Sequence, residues 1–420
     1  MRRLLANADL HGVMIVTVGT YIASFFSYLL QFFLGRLLSI EDYGLFNTYL
    51  AISYILGVPS YVLSTSLIKY VADLSGKNEF AQLSTMYRKF QILAASFGML
   101  ITILLVLLRL PISNYLKIND TYITVLYAFV TGFSYFIIVP FAYLQGFLRY
   151  RSYSLTNVAS SFARFLLPVV LLYAGFGLPG VFAGMFMATI VAYVVSRTLL
   201  SRNLKELSTV NAVGEYSKLL SYSFPILFIN LGLILLNNVD LIVVKRLFSS
   251  VEAGYYAGTV TLGKILLFGS STVSSVMFPR VANYYAQKKP LLKVFSFFFF
   301  IQLLVVGIGT IVFSTLPGLL TNLFFGNKFS GSIGYLPGFS IFIGFYVLVN
   351  FLILFMMAIE KTYIFLFLLP AVLLQYFLLI NSQSIKEVIS INTFITSSVF
   401  FVLLVITAIV LYKKPQPKIG

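Results

Sequence analysis

The sequence has no cysteine, no tryptophan, a single histidine (His11) and only 12 acidic residues in 420. Without cysteine there is no disulfide and no thiolate chemistry, and one histidine cannot supply the ligand spacings of a zinc site. No GxxxxGK segment followed by Ser or Thr occurs, so the chain has no complete phosphate-binding loop with which to hydrolyse a nucleotide. Charged residues are also scarce, at 10% against 60% hydrophobic, and mean hydropathy is +0.97. That leaves too little polar material to cover a soluble globule, so the chain is expected to be an all-α polytopic membrane protein.

Twelve apolar stretches of spanning length can be read. Six fall at about residues 10 to 34, 44 to 70, 91 to 108, 121 to 145, 154 to 174 and 178 to 199, and six at about 219 to 244, 254 to 279, 294 to 315, 332 to 358, 362 to 381 and 391 to 411. The net charge of +17 has a topological origin in this frame. With the N-terminus inside, seven basic residues fall outside: Arg36, Arg109, Lys117, Lys245, Arg246, Lys328 and Lys386. Twenty fall inside, and Arg164 and Lys264 complete the 29. This positive-inside bias places both termini in the cytoplasm and directs the basic excess to anionic membrane lipid rather than to nucleic acid.

The chain also reads twice. RLLSIEDYGLF from Arg36 recurs as RLFSSVEAGYY from Arg246, an offset of 210, half of 420. Arg36/Arg246, Leu37/Leu247, Ser39/Ser249, Gly44/Gly254, Ile55/Ile265, Leu56/Leu266, Ser60/Ser270, Ser64/Ser274, Val71/Val281 and Ala72/Ala282 agree without a gap. LLPVVLL from Leu166 likewise returns as LLPAVLL from Leu368. Six spans per half keep both halves in the same orientation, related by an axis along the membrane normal, as in transporters that alternate access to a central site. The lobes are expected at 1–208 and 209–420, joined by the polar stretch from Ser201 to Lys218. Pro59, Pro140, Pro168, Pro225, Pro337 and Pro370 fall within or beside spans, where each bends a helix or serves as a hinge. Phe297 to Phe300 reads as a lipid-facing run.

Three charges are left over from topology. Arg164 lies near the middle of the fifth span, Lys264 about ten residues into the eighth, and Asp240 inside the outer end of the seventh. Each costs on the order of 2.5 to 3.5 kcal/mol at a membrane centre, which calls for a wet cavity or a partner. One carboxylate cannot neutralise two cations, so either an internal salt bridge or an anionic ligand such as a diphosphate follows. At the repeat offsets Lys264 answers to Tyr54 and Arg164 to Leu366, so neither cation has a charged equivalent. Asn157, Asn237 and Asn350, with Gln31, Asn47, Asn230 and Asn238, either bond neighbouring helices or line a path for sugars. An enzyme is not expected, since Asp240 is the one carboxylate well inside a span and a paired acid and base are missing.

The stretch from Asn237 to Tyr285, with Asp240 closing the seventh span, Gly254-Tyr255-Tyr256 opening the eighth and Phe278-Pro279-Arg280 at its cytoplasmic end, resembles the polysaccharide flippase (Wzx-like) family of the multidrug/oligosaccharidyl-lipid/polysaccharide exporter superfamily. The resemblance implies two six-helix lobes in a V shape that carry a polyprenyl-diphosphate-linked oligosaccharide across the cell membrane, with no cofactor. It also implies other polysaccharide-assembly membrane proteins as partners. In this reading Arg164 and Lys264 meet the diphosphate, while Asn157, Tyr54, Asn237 and Asn350 line the substrate path. Asp240 either pairs with a cation or binds a coupling proton or sodium. Two alternatives remain at this stage: a multidrug and toxin extrusion antiporter of the same superfamily, and a membrane glycan polymerase or ligase.

Overall fold

The computed structural model describes residues 2–77, 80–118, 120–204 and 216–413, and no β-strand occurs among them. In chain order the first half supplies α1 (Arg2–Leu37), α2 (Ile40–Leu56), α3 (Val58–Gly76), α4 (Phe80–Leu107), α5 (Arg109–Tyr115), α6 (Thr121–Ser134), α7 (Ile138–Gly146), α8 (Tyr150–Leu171) and α9 (Gly177–Leu204). The second supplies α10 (Tyr216–Leu236), α11 (Val239–Leu247), α12 (Ser250–Ala286), α13 (Leu292–Thr315), α14 (Pro317–Phe325), α15 (Leu336–Ala358), α16 (Phe365–Leu379) and α17 (Ile385–Lys413).

Ten segments among the described residues are long and apolar enough to cross a membrane, and α2 with α3 adds a broken span. One of the ten, Tyr150–Leu200, has 51 residues. At 1.5 Å per residue a single helix of that length would reach about 75 Å, more than twice a hydrocarbon core. It is instead α8 and α9 packed along each other. The chain reverses at Gly175 and Gly177, whose φ values of 88° and 58° lie where an L side chain is strained. Counting this pair as two crossings gives twelve, so the protein is an all-α, multi-pass membrane protein.

Two compact units emerge, Met1–Leu38 with Leu56–Ser223, and Ser39–Ile55 with Phe224–Gly420. The boundary expected between 208 and 209 lies outside the described residues. The grouping departs from a simple halving of the sequence in two respects: most of α2 packs with the second unit, and the start of α10, residues 216–223, groups with the first. The chain passes between units at the break beside Gly57.

In the first unit, α1 lies close along α8 because Gly12 and Gly19 leave room for Tyr150 and Ser154, and the Ser154 hydroxyl donates to the Ile15 carbonyl at 3.0 Å. Proline effects are answered locally. Pro140 has no N–H for the carbonyl of Phe136, which accepts instead from Gln91 Nε2 at 3.1 Å. Pro168 in α8 faces Gly184 of α9, where a Cβ would stand 2.5 Å from the proline nitrogen.

In the second unit, α12 opens with a capping box, Ser249 accepting from the Glu252 N–H while Glu252 accepts from the Ser249 N–H. α15 packs between α12, α13 and α17. The Phe297 to Phe300 run does not face lipid throughout: Phe297 and Phe300 point outward, but Phe298 is buried. Successive residues on a helix turn through about 100°, so four in a row cannot share one face.

Candidate functional site

The second unit brings equivalent helices of the two repeats together. Gly44 of α2 lies against Gly254 of α12, so that a Cβ on Gly44 would come within 2.8 Å of the Gly254 Cα. Tyr43 donates its hydroxyl to Thr261 Oγ1 at 2.8 Å and packs edge-on to Phe325 and Phe329. Ten residues further along both helices, the Lys264 ammonium lies 4.9 Å from the centroid of the Tyr54 ring. Repeat-equivalent residues thus meet at two heights, which is the arrangement of parallel helices related by an axis running between them.

Tyr54 and Asn238 both contact the Lys264 ammonium. The face of Tyr54 attracts the cation through its quadrupole, and Asn238 Oδ1 accepts from Nζ at 3.2 Å. Asn238 sits at the break between α10 and α11, where its Nδ2 donates to the Ile234 carbonyl at 2.8 Å. Asp240 lies within electrostatic range of Lys264 but takes its hydrogen bonds elsewhere. Its Oδ1 accepts from the Leu241 N–H at 2.8 Å, and its Oδ2 accepts from the Tyr256 hydroxyl at 2.5 Å and from Asn392 Nδ2 at 2.9 Å. Behind these, Gln375 Nε2 reaches both Asn392 Oδ1 at 2.8 Å and the Leu236 carbonyl at 3.1 Å. The result is a buried polar chain tying α11, α12, α16 and α17 around one carboxylate.

Of the residues singled out from sequence, Lys264, Tyr54 and Asp240 fall in this neighbourhood with Asn238. Asn237 is buried beside it, and its Oδ1 has no hydrogen-bond partner. Asn350 lies part-buried on α15, with no hydrogen bond to Lys264 or Asp240. Arg164 and Asn157 belong to the first unit. Seven residues apart on α8, they share one face of that helix; Arg164 is exposed and Asn157 part-buried. Tyr256 stands out in the sequence only as part of the Gly254-Tyr255-Tyr256 element and not as a partner of Asp240, and Gln375 and Asn392 do not stand out there. Gln375 and Asn392 carry the same signal as the asparagines that do, an amide inside an apolar span.

Gly258 to Lys264 matches the first seven positions of a phosphate loop but continues with Ile265, which has no hydroxyl. The run lies within the continuous helix α12. Its N–H groups are committed to the helix, so it cannot cradle a phosphate as a loop does.

The family model described as polysaccharide biosynthesis protein matches residues 10–285. No curated protein matches by sequence. Among solved structures, the chain is similar to an inward-facing multidrug resistance MATE family transporter of the MOP superfamily, with TM-score 0.76 and 12% identity over 96% of this chain and 99% of that one. It is also similar to the lipid II flippase MurJ in an inward closed conformation, at 0.66 and 14% over 94% and 87%. A MOP superfamily transporter from Pyrococcus furiosus gives 0.61 and 14% over 95% of each chain. At such identities the likeness establishes the fold, that of twelve-helix membrane transporters.

Proposed function

Because the chain belongs to the polysaccharide biosynthesis protein family, we propose that it is a flippase that moves polyprenyl-diphosphate-linked oligosaccharide from the cytoplasmic to the outer leaflet of the cell membrane, both termini being cytoplasmic. The two repeat halves, 1–208 and 209–420, act as lobes in alternating access. The diphosphate is drawn to Lys264 and Arg164, and the sugars pass along Asn157, Tyr54, Asn237 and Asn350. Asp240 holds the coupling proton or sodium, and other membrane proteins of polysaccharide assembly hand over and receive the cargo.

The observation that carries this reading is the setting of Lys264. An amide oxygen and an aromatic face contact its ammonium, and the nearby Asp240 carboxylate takes its own hydrogen bonds from Tyr256, Asn392 and Leu241. A part-buried cation held in this way suits an anionic cargo. A multidrug exporter shares the fold, but a cationic drug is attracted to carboxylates and repelled by such a lysine.

The test is depletion in a native host that has no second flippase. Lipid-linked repeat units should accumulate in the cytoplasmic leaflet and surface glycan should fall, with the glycosyltransferase steps intact. Unchanged surface glycan with raised sensitivity to cationic dyes would instead select the drug exporter.

A further inference from the structure

Beside the contact of α1 with α8 runs a groove of about 630 Å³ that the transport site does not use. Its floor is Gly19 and Ser154, and its walls are Val18 and Ile22 from one helix and Leu155 and Val158 from the other. Arg151 closes one end. The wall residues on each helix are about one turn apart, so the groove follows the helix axes, which is the direction of a lipid chain in a bilayer. It is also firmly built. Ser154 is hydrogen-bonded to the Ile15 carbonyl, and a Cβ on Gly19 would strike Ser154 Oγ.

Arg151 stands in the first turn of α8 and is exposed. Arg149 precedes it at the start of the same helix, so two basic residues mark this end of the groove. An apolar channel of this shape ending in an arginine is complementary to a hydrocarbon chain that ends in phosphate. One groove between one pair of helices suits a single chain with a large anionic head better than a diacyl phospholipid.

We propose that this groove seats the polyprenyl chain of the lipid-linked cargo in the cytoplasmic leaflet, with Arg151 meeting its diphosphate before transfer to the central site. The inference rests on the flippase reading and adds to it an entry subsite on the first unit.

The experiment uses the full chain in nanodiscs of neutral phospholipid, with undecaprenyl diphosphate as the probe and native mass spectrometry as the readout. Leu155→Trp fills the groove from an already exposed position, Val18→Trp fills it from the opposite wall, and Arg151→Gln removes the charge. Each should weaken probe binding about tenfold with yield and melting temperature near wild type. Should one tryptophan variant fold poorly, the other and Arg151→Gln decide the matter. Wild-type affinity in the folded variants, or displacement of the probe by an equal concentration of phosphatidylglycerol, overturns the assignment.

The two readings can fail separately. Normal surface glycan after depletion, with groove-dependent probe binding intact, removes the flippase and leaves a polyprenyl site. Lost surface glycan on depletion, restored fully by all three groove variants, removes the groove and leaves the flippase.

Discussion

Lys264 lies 4.9 Å above the ring of Tyr54, the residue that occupies its own position in the first repeat. The two side chains stand at equivalent positions of the repeat and lie face to face, one a cation and the other a π surface. The contact also fixes the local geometry: Gly44 and Gly254, another equivalent pair, touch along the same two helices.

If Lys264 binds an anionic cargo, Lys264→Gln should abolish transport in proteoliposomes while membrane abundance stays near wild type, and Lys264→Arg should retain part of the rate. Tyr54→Phe keeps the ring face and should transport almost normally. Tyr54→Leu loses a cation–π contact worth about 1 kcal/mol, roughly fivefold in rate. Equal rates for Tyr54→Leu and wild type would show that the ring does not help to hold the ammonium.

The duplication was legible because its offset stays at 210 through 37 residues, and the span count was legible because each apolar run is bounded by charge or turn residues. The grouping of α2 with the second unit was not. It depends on Gly44 meeting Gly254, and sequence identity at an offset carries no information about contact. Asp240 stood out as a carboxylate inside a span, whereas its partner Asn392 lies 152 residues away, and nothing local in the chain joins them. The phenylalanine run misled because composition suggested one surface where helical rotation produces several.

The α2 and α12 contact predicts an asymmetry among glycine substitutions. A Cβ on Gly254 would lie 2.2 Å from the Ile40 carbonyl oxygen, whereas one on Gly269, in the same helix, meets nothing within 4 Å. Gly254→Ala should therefore lower the melting temperature of the detergent-solubilised protein. Gly269→Ala should leave it unchanged or raise it, by up to about 1 kcal/mol of helix propensity. Equal melting of the two variants would mean that α2 does not press on α12 in the folded protein.

Topology can be probed without background because the chain has no cysteine. Gln287 and Ser330 are both exposed, one just beyond α12 and the other between α14 and α15. With cytoplasmic termini, an impermeant thiol reagent added to intact cells should label Ser330→Cys and spare Gln287→Cys until the membrane is opened. The reverse pattern would invert the orientation and with it the direction of transport.

The carboxylate network makes a prediction that separates fold from function. Asp240→Ala leaves the Tyr256 hydroxyl and the Leu241 N–H without their acceptor and the Asn392 amide with only its 3.4 Å bond to the Tyr256 hydroxyl, at about 1 to 3 kcal/mol for each buried group left unsatisfied. Folded yield should fall whatever the role of the charge. Asp240→Asn sets one amide against another at Asn392, and should also destabilise. The exchange Asp240→Asn with Asn392→Asp restores a carboxylate facing an amide across the same 2.9 Å contact, so melting temperature and yield should recover. Transport distinguishes the two roles. If the carboxylate serves only to hold α11 against α17, the exchanged protein transports as it folds. If Asp240 binds the coupling ion, moving the charge to α17 places it among different neighbours, and transport should stay low in a stable protein. Recovery of full transport in the exchanged variant would assign Asp240 to structure and send the search for the coupling site elsewhere.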